Sequence, residues 1–144
     1  MKQTVLAVSG EKNSGKTTLI ESLIPHITES GRSVAVIKHD GHSFEPDVKG
    51  TDTERFFSAG ACGTAVYDGE KFMLVKKVQV DAFELLKHFP DADVILIEGL
   101  KYVDMPKLRI KGGFVTGTFF SETLSRDSIR EIADKIIAYT EAEI

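Results

Sequence analysis

Gly10-Glu11-Lys12-Asn13-Ser14-Gly15-Lys16-Thr17 matches the spacing G-x-x-x-x-G-K-[ST], and its neighbours give that spacing a meaning. Upstream, Thr4 to Val8 is a short, mostly apolar run with two valines, as a buried strand requires. Downstream, Leu19-Ile20, Leu23-Ile24 and Ile27 recur at helical spacing. The glycines let the backbone turn tightly, so that successive N–H groups face one anion-sized hollow. A helix opening at Lys16 adds unpaired N–H groups and the positive end of its dipole. In such an arrangement Lys16 reaches the β- and γ-phosphates of a nucleotide and the Thr17 hydroxyl holds Mg²⁺. Gly10, Lys12, Asn13, Ser14, Gly15, Lys16, Thr17 and Thr18 are the candidate binding set, although Lys12 reads equally well as a solvated loop lysine. The implication is a nucleoside triphosphate site.

Beyond the first helix, Gly31 suits a left-handed cap, and Ser33 to Lys38 reads as a second buried strand. Continuous rather than alternating apolarity in both strands predicts an α/β fold with a mostly parallel sheet and helices on both faces. His39 to Gly50 is a long polar loop at the carboxyl end of strand two, the edge where open α/β sheets bind ligands. A short helix through Ser58, capped by Thr51 or Asp52, ends at Gly60. Gly63 to Tyr67 and Phe72 to Val75, joined by Asp68-Gly69, predict a β-hairpin, which belongs at a sheet edge in a parallel plan. Another helix is expected around Asp81 to Phe89.

Asp93-Val94-Ile95-Leu96-Ile97-Glu98-Gly99 is the most apolar strand and ends in a carboxylate. Placed downstream of a phosphate loop, Glu98 is a candidate for the metal side of the site, with Thr17, and for catalysis. Its plainer reading is a central strand whose last residue meets solvent. Pro106 to Ile110 and Gly113 to Phe120 read as further strands. Ser125 caps a last helix whose Ile129, Ile132, Ala133, Ile136 and Ile137 form one core stripe, with Arg126 and Arg130 on that same helix.

Of the other polar residues, Asp40, Asp47 and Asp52 supply carboxylates near the γ-phosphate side. Asp40 and Asp47 are candidates for orienting a water, with turn and cap roles as the alternative. His39 and His42 lack a third soft ligand nearby, so a structural or phosphate-facing role is favoured over zinc. Lys101 and Lys107 either line the same edge or are ordinary surface lysines.

A length of 144 residues predicts one domain, and a net charge of −4 argues against a general nucleic-acid binder. No apolar run approaches a membrane span and no signal-peptide pattern opens the chain, so a cytoplasmic location is expected. The single cysteine, Cys62, rules out an internal disulfide and is expected to be a small buried strand residue.

Three blocks together resemble one family, the molybdopterin-guanine dinucleotide biosynthesis adapter proteins (MobB). They are the phosphate loop, the segment from Lys38 to Ala61, and Glu98-Gly99-Leu100-Lys101 followed by Pro106-Lys107-Leu108. The middle block is diagnostic: Lys38, His39, His42, Phe44, Asp47, Gly50, Asp52 and Thr53 fall at the family's spacing, with Asp40-Gly41 where many members carry Thr-His. The resemblance implies a P-loop NTPase-like fold, GTP binding with Mg²⁺, at most weak hydrolysis, and commonly a homodimer. It also implies a partner, the guanylyltransferase that joins GMP to molybdopterin, and contact with molybdopterin itself or with a chaperone of molybdopterin-dependent enzymes. Guanine comes from the resemblance alone, since the Asn-Lys-x-Asp base-reading motif of Ras-like GTPases is absent. A small-molecule kinase or a regulatory ATPase is the alternative. Kinases of this architecture need a basic lid, and no arginine-rich segment stands out.

Overall fold

The computed structural model describes residues 2–40, 44 and 50–142. Two compact units make up the chain: Met1–His39 with Ala82–Ile144, and Asp40–Asp81 between them in sequence.

The larger unit is built on a six-stranded sheet. Its strands are β1 (Thr4–Gly10), β2 (Val34–Lys38), β5 (Val94–Glu98), β6 (Lys107–Lys111), β7 (Phe114–Gly117) and β8 (Phe120–Ser125), in the spatial order β2-β5-β1-β6-β7-β8. The first four run parallel, while β7 and β8 add an antiparallel edge. The mostly parallel α/β sheet expected from the apolar runs is therefore present.

The apolar runs are continuous because both faces are covered. On one face Leu6, Val8, Leu96, Leu108 and Ile110 pack with Leu19, Leu23 and Ile27 of α1 (Lys16–Glu29) and with Ile132 and Ile136 of α4 (Ile129–Ala142). On the other, Val5, Ile37, Ile95 and Ile97 meet Ala82 and Leu85 of α3 (Ala82–Leu85) and Leu86 of the 3₁₀ turn that follows. Removing one of the buried leucines to alanine in such a core costs about 2–5 kcal/mol.

Several expectations are revised. Gly113 to Phe120 is not one strand, because the chain reverses between Gly117 and Phe120 to make the β7–β8 pair. The ring of Phe119 stacks on Tyr139 of α4 at 4.6 Å, so burial of the aromatic turn against the helix favours the reversal. Strand β8 consequently runs on to Ser125, and α4 opens at Ile129, not beside Ser125. The Ser125 hydroxyl instead accepts a hydrogen bond from the Asp127 N–H at 3.2 Å, fixing the turn between strand and helix.

The smaller unit holds α2 (Asp52–Ser58) and the hairpin of β3 (Gly63–Tyr67) and β4 (Phe72–Lys76). The hairpin forms with Tyr67 opposite Phe72, but it is a separate two-stranded sheet, and the edge strands of the large sheet are β2 and β8. Hydrogen bonds from the Glu70 and Lys71 N–H groups to the Asp68 carboxylate (2.8 and 2.9 Å) hold its turn. Cys62, expected in a buried strand, is exposed just ahead of β3. No helix among the described residues is long and apolar enough to cross a membrane.

Candidate functional site

Sheet register assembles the site. Val8, Glu98 and Lys38 stand in one row across β1, β5 and β2, at the carboxyl edge of the parallel strands. Past that row β1 continues to Gly10, which pairs with Ile110 of β6, so the first glycine of the motif is still strand. Glycine is required there by space. A Cβ on Gly10 would lie 2.6 Å from Ile110 Cγ2, 2.7 Å from the Ile110 carbonyl and 2.7 Å from Ser14 Oγ. The loop then turns through positive φ at Asn13 (63°) and Gly15 (96°) and enters α1 at Lys16. Asparagine tolerates that conformation better than most side chains, and glycine adopts it freely.

The first α1 bond is donated by Leu19 N–H to the Gly15 carbonyl at 2.9 Å. The N–H groups of the turn before it have no carbonyl within the helix to meet. Free N–H groups at a helix start suit an anion, while the Ser14 N–H of the loop is already given to the Glu11 carbonyl at 3.1 Å. Lys16 lies across this loop, its Nζ donating to the carbonyls of Gly10 (2.8 Å) and Glu11 (3.4 Å). The Ser14 hydroxyl is buried without a hydrogen-bond partner among the described residues, an orphan polar atom inside the same turn.

Thr17 and Glu98 are brought together. The Thr17 hydroxyl donates to Glu98 Oε1 at 3.4 Å, and Lys38 Nζ stands 3.9 Å from Glu98 Oε2. The Glu98 side chain is only 12% exposed, which strengthens its interaction with any nearby cation. A hydroxyl and a carboxylate are hard oxygen donors, the set with which Mg²⁺ is held when phosphates complete its shell. No group of three or more His, Cys, Asp or Glu placed to hold a metal ion exists among the described residues. The residues present fit the ion.

Lys107 is neither a phosphate contact nor a surface lysine. It is 3% exposed, and its three donors go to the carbonyls of Leu100 (3.0 Å), Lys101 (3.1 Å) and Val103 (2.6 Å). Burial lowers its pKa, as does neighbouring Arg109, while Asp104 opposes them. The turn it clamps is unusual, since Leu100 takes φ 58° directly after Gly99 at 122°. A branched side chain in that region is strained, so something must hold the turn. The turn carries Lys101, whose Nζ meets the Glu11 carboxylate of the phosphate loop at 2.6 Å. That hydrogen bond and charge pull the Glu11 pKa down and the Lys101 pKa up. Lys107 therefore braces the turn whose Lys101 meets the phosphate loop.

Of the remaining sequence candidates, His39 continues the ladder, its N–H donating to the Glu98 carbonyl at 3.2 Å. Lys12 and Thr18 are exposed. Asp40 and Asp52 belong to the smaller unit, and His42 and Asp47 lie outside the described residues. Two cations were missed. Lys38 had no assigned role, yet the pairing of β2 with β5 puts it beside Glu98. Arg126 is not on the last helix but in the turn after β8, with Nη1 3.3 Å from where a Cβ on Gly15 would stand. Lys38 opens the diagnostic block without a role of its own there, and Arg126 carries no sequence signal, because strand order positions both.

The family model described as "Molybdopterin guanine dinucleotide synthesis protein B" matches residues 5–129. The chain is 37% identical over 110 residues to a probable molybdopterin-guanine dinucleotide biosynthesis adapter protein of Bacillus subtilis (strain 168), covering 74% of this chain and 64% of the relative. It is 39% identical over 110 residues to a putative adapter protein of the same description from Methanocaldococcus jannaschii, covering 72% and 45%. The chain thus matches less than two thirds of the length of these relatives. The crystal structure of Bacillus subtilis MobB superposes with a TM-score of 0.64 at 36% identity, over 76% of this chain and 68% of that one. Fold, motif blocks and family model agree, and the chain belongs to the molybdopterin guanine dinucleotide synthesis protein B family.

Proposed function

We propose that the protein is a GTP-binding adapter that assists the attachment of GMP to molybdopterin, with at most weak hydrolysis of its own. The observation that carries this reading is the Thr17–Glu98 pair, at 3.4 Å, at the mouth of a loop whose lysine and amides suit phosphates. Mg²⁺ bound there would neutralise charge on the β- and γ-phosphates. Gly10 to Thr18 would bind the phosphates, Lys16 by its charge, while Thr17 and Glu98 would hold the metal. GTP rather than ATP rests on family membership, as does the guanylyltransferase as partner. Molybdopterin, or a chaperone of enzymes that use it, is a second partner in this reading, and the working form is a cytoplasmic homodimer. The whole chain acts as one nucleotide-binding module, with the smaller unit as an insertion between β2 and α3.

Thermal unfolding with GTP, GDP and ATP, each with and without Mg²⁺, tests the reading, because a ligand selective for the native state raises the midpoint by mass action. GTP with Mg²⁺ is expected to give the largest rise. A larger rise with ATP would favour the kinase or regulatory ATPase alternative, and no rise with any nucleotide would remove the function.

Glu98 provides a sharper test. Glu98→Gln keeps the shape but loses the charge, so Mg²⁺ affinity in the nucleotide complex is expected to fall about 10–100-fold. Metal-free nucleotide binding should change little. Equal losses with and without metal, or none, would return Glu98 to the role of a strand end.

A further inference from the structure

The Ser125–Asp127 turn brings an unassigned cation to the phosphate loop. Strand β8 is antiparallel to β7, and β7 to β6, so β8 runs in the direction of β1 and ends at the same edge of the sheet. Arg126 follows it directly. Its backbone N–H donates to the Gly113 carbonyl at 2.9 Å, fixing the turn against the β6–β7 connection. Its Nη1 comes 3.3 Å from the position a Gly15 Cβ would occupy, and Ile110 Cδ1 comes 3.7 Å from it. Among the described residues, the guanidinium has no carboxylate in an ion pair. An exposed arginine laid along the loop of residues 10–16, with no ion pair among the described residues, is arranged for an anion.

Strand order says which end of the nucleotide it meets. Glu98 lies on β5, to one side of β1, and Arg126 comes from beyond β6, to the other. A metal ion, were it held by Thr17 and Glu98, would neutralise charge on the β- and γ-phosphates at that side of the loop. The phosphate chain would then have its terminal end toward β5, and its α-phosphate and nucleoside toward β6 and β8. We propose that Arg126 is a nucleotide-binding residue that contacts the α-phosphate at the nucleoside end of the site, taking nucleoside di- and triphosphates alike. The inference rests on the nucleotide reading given above and adds a specific contact to it. It assigns Arg126 to affinity, in contrast to an arginine that stabilises charge on the γ-phosphate during transfer.

The test is titration of the full chain and its variants with GDP, GTP and inorganic pyrophosphate, with circular dichroism as the check of folding. Arg126→Ala is expected to weaken GDP and GTP by the same factor, about 10–100-fold, as the loss of a hydrogen bond between charged groups does. Pyrophosphate, which has no α-phosphate of a nucleotide, should bind within about twofold of wild type on the same reasoning. Arg126→Lys keeps a charge but loses the planar fork, and should recover only part of the affinity. It carries the same test if the alanine variant does not fold. Wild-type GDP affinity in Arg126→Ala, alongside lost binding in Lys16→Ala, would overturn the proposal and leave the nucleotide site standing. An equal loss for pyrophosphate, or a loss of GTP hydrolysis with GDP affinity intact, would also overturn it. A wild-type chain that binds neither nucleotide would remove the nucleotide reading and this contact together.

Discussion

Lys107→Met is expected to lower the free energy of unfolding by about 2–5 kcal/mol, because three carbonyls lose their donor at once. Methionine fills a similar volume, so little of the loss comes from a cavity. The carbonyls of Leu100, Lys101 and Val103 would be left to find water in a turn already strained at Leu100. Such a turn should loosen before the sheet does. Hydrogen exchange is therefore expected to speed up first at residues 100–103, with chemical denaturation reporting the total. Nucleotide affinity should fall as well, though modestly, since the contact of this turn with the phosphate loop is the exposed Lys101–Glu11 pair. A variant as stable as wild type would show that the lysine is carried by its burial and that the turn holds itself.

Lys16→Ala should have the opposite profile, with binding lost and stability kept. The lysine is half-buried, and its ammonium rests on carbonyls of the loop, so truncation opens no hole in the core. Facing β- and γ-phosphates, the same ammonium would make charge-assisted hydrogen bonds in a site partly shielded from water. Removing one partner of such a pair costs about 2–5 kcal/mol, or roughly 30- to several-thousand-fold in affinity. Titration of the folded variant with GTP at fixed ionic strength checks this, and unchanged affinity would withdraw the phosphate-loop assignment. Together the two lysines separate a residue that binds from one that braces.

What could be read from the chain depended on how local the cause was. The phosphate loop was legible because its requirements are met within a few residues: a buried strand, Gly10 where Ile110 leaves no room, Gly15 at positive φ, and an amphipathic helix after it. Glu98 was legible as the polar end of an apolar run. Lys107 was not, since a lysine amid Pro106-Lys107-Leu108 looks like any solvated cation until carbonyls from residues 100–103 are folded over it. Arg126 was misplaced for a related reason. Apolar periodicity located the stripe of α4, but the helix start was set by where β8 stops, and that required the reversal at Gly117–Phe120. The Asp68-Gly69 turn announced its hairpin plainly, whereas membership of one sheet or another depends on long-range pairing that a turn cannot encode.

The place of β5 between β1 and β2 also governs when this protein can fold. Thr4 pairs with Val94, Ala7 with Lys107, and Val34 with Val94, so none of the parallel ladders closes locally. The first βα unit leaves the ribosome with its apolar strand and helix face exposed, and the strand that joins β1 to β2 is made much later. Non-local pairing of this kind slows folding, because the loop-closure entropy is lost before any contact repays it. During synthesis at about 5–20 residues per second, the interval before β5 emerges lasts several seconds. For that time β1 and the apolar face of α1 remain unpaired and aggregation-prone, the state from which chaperones protect a nascent chain.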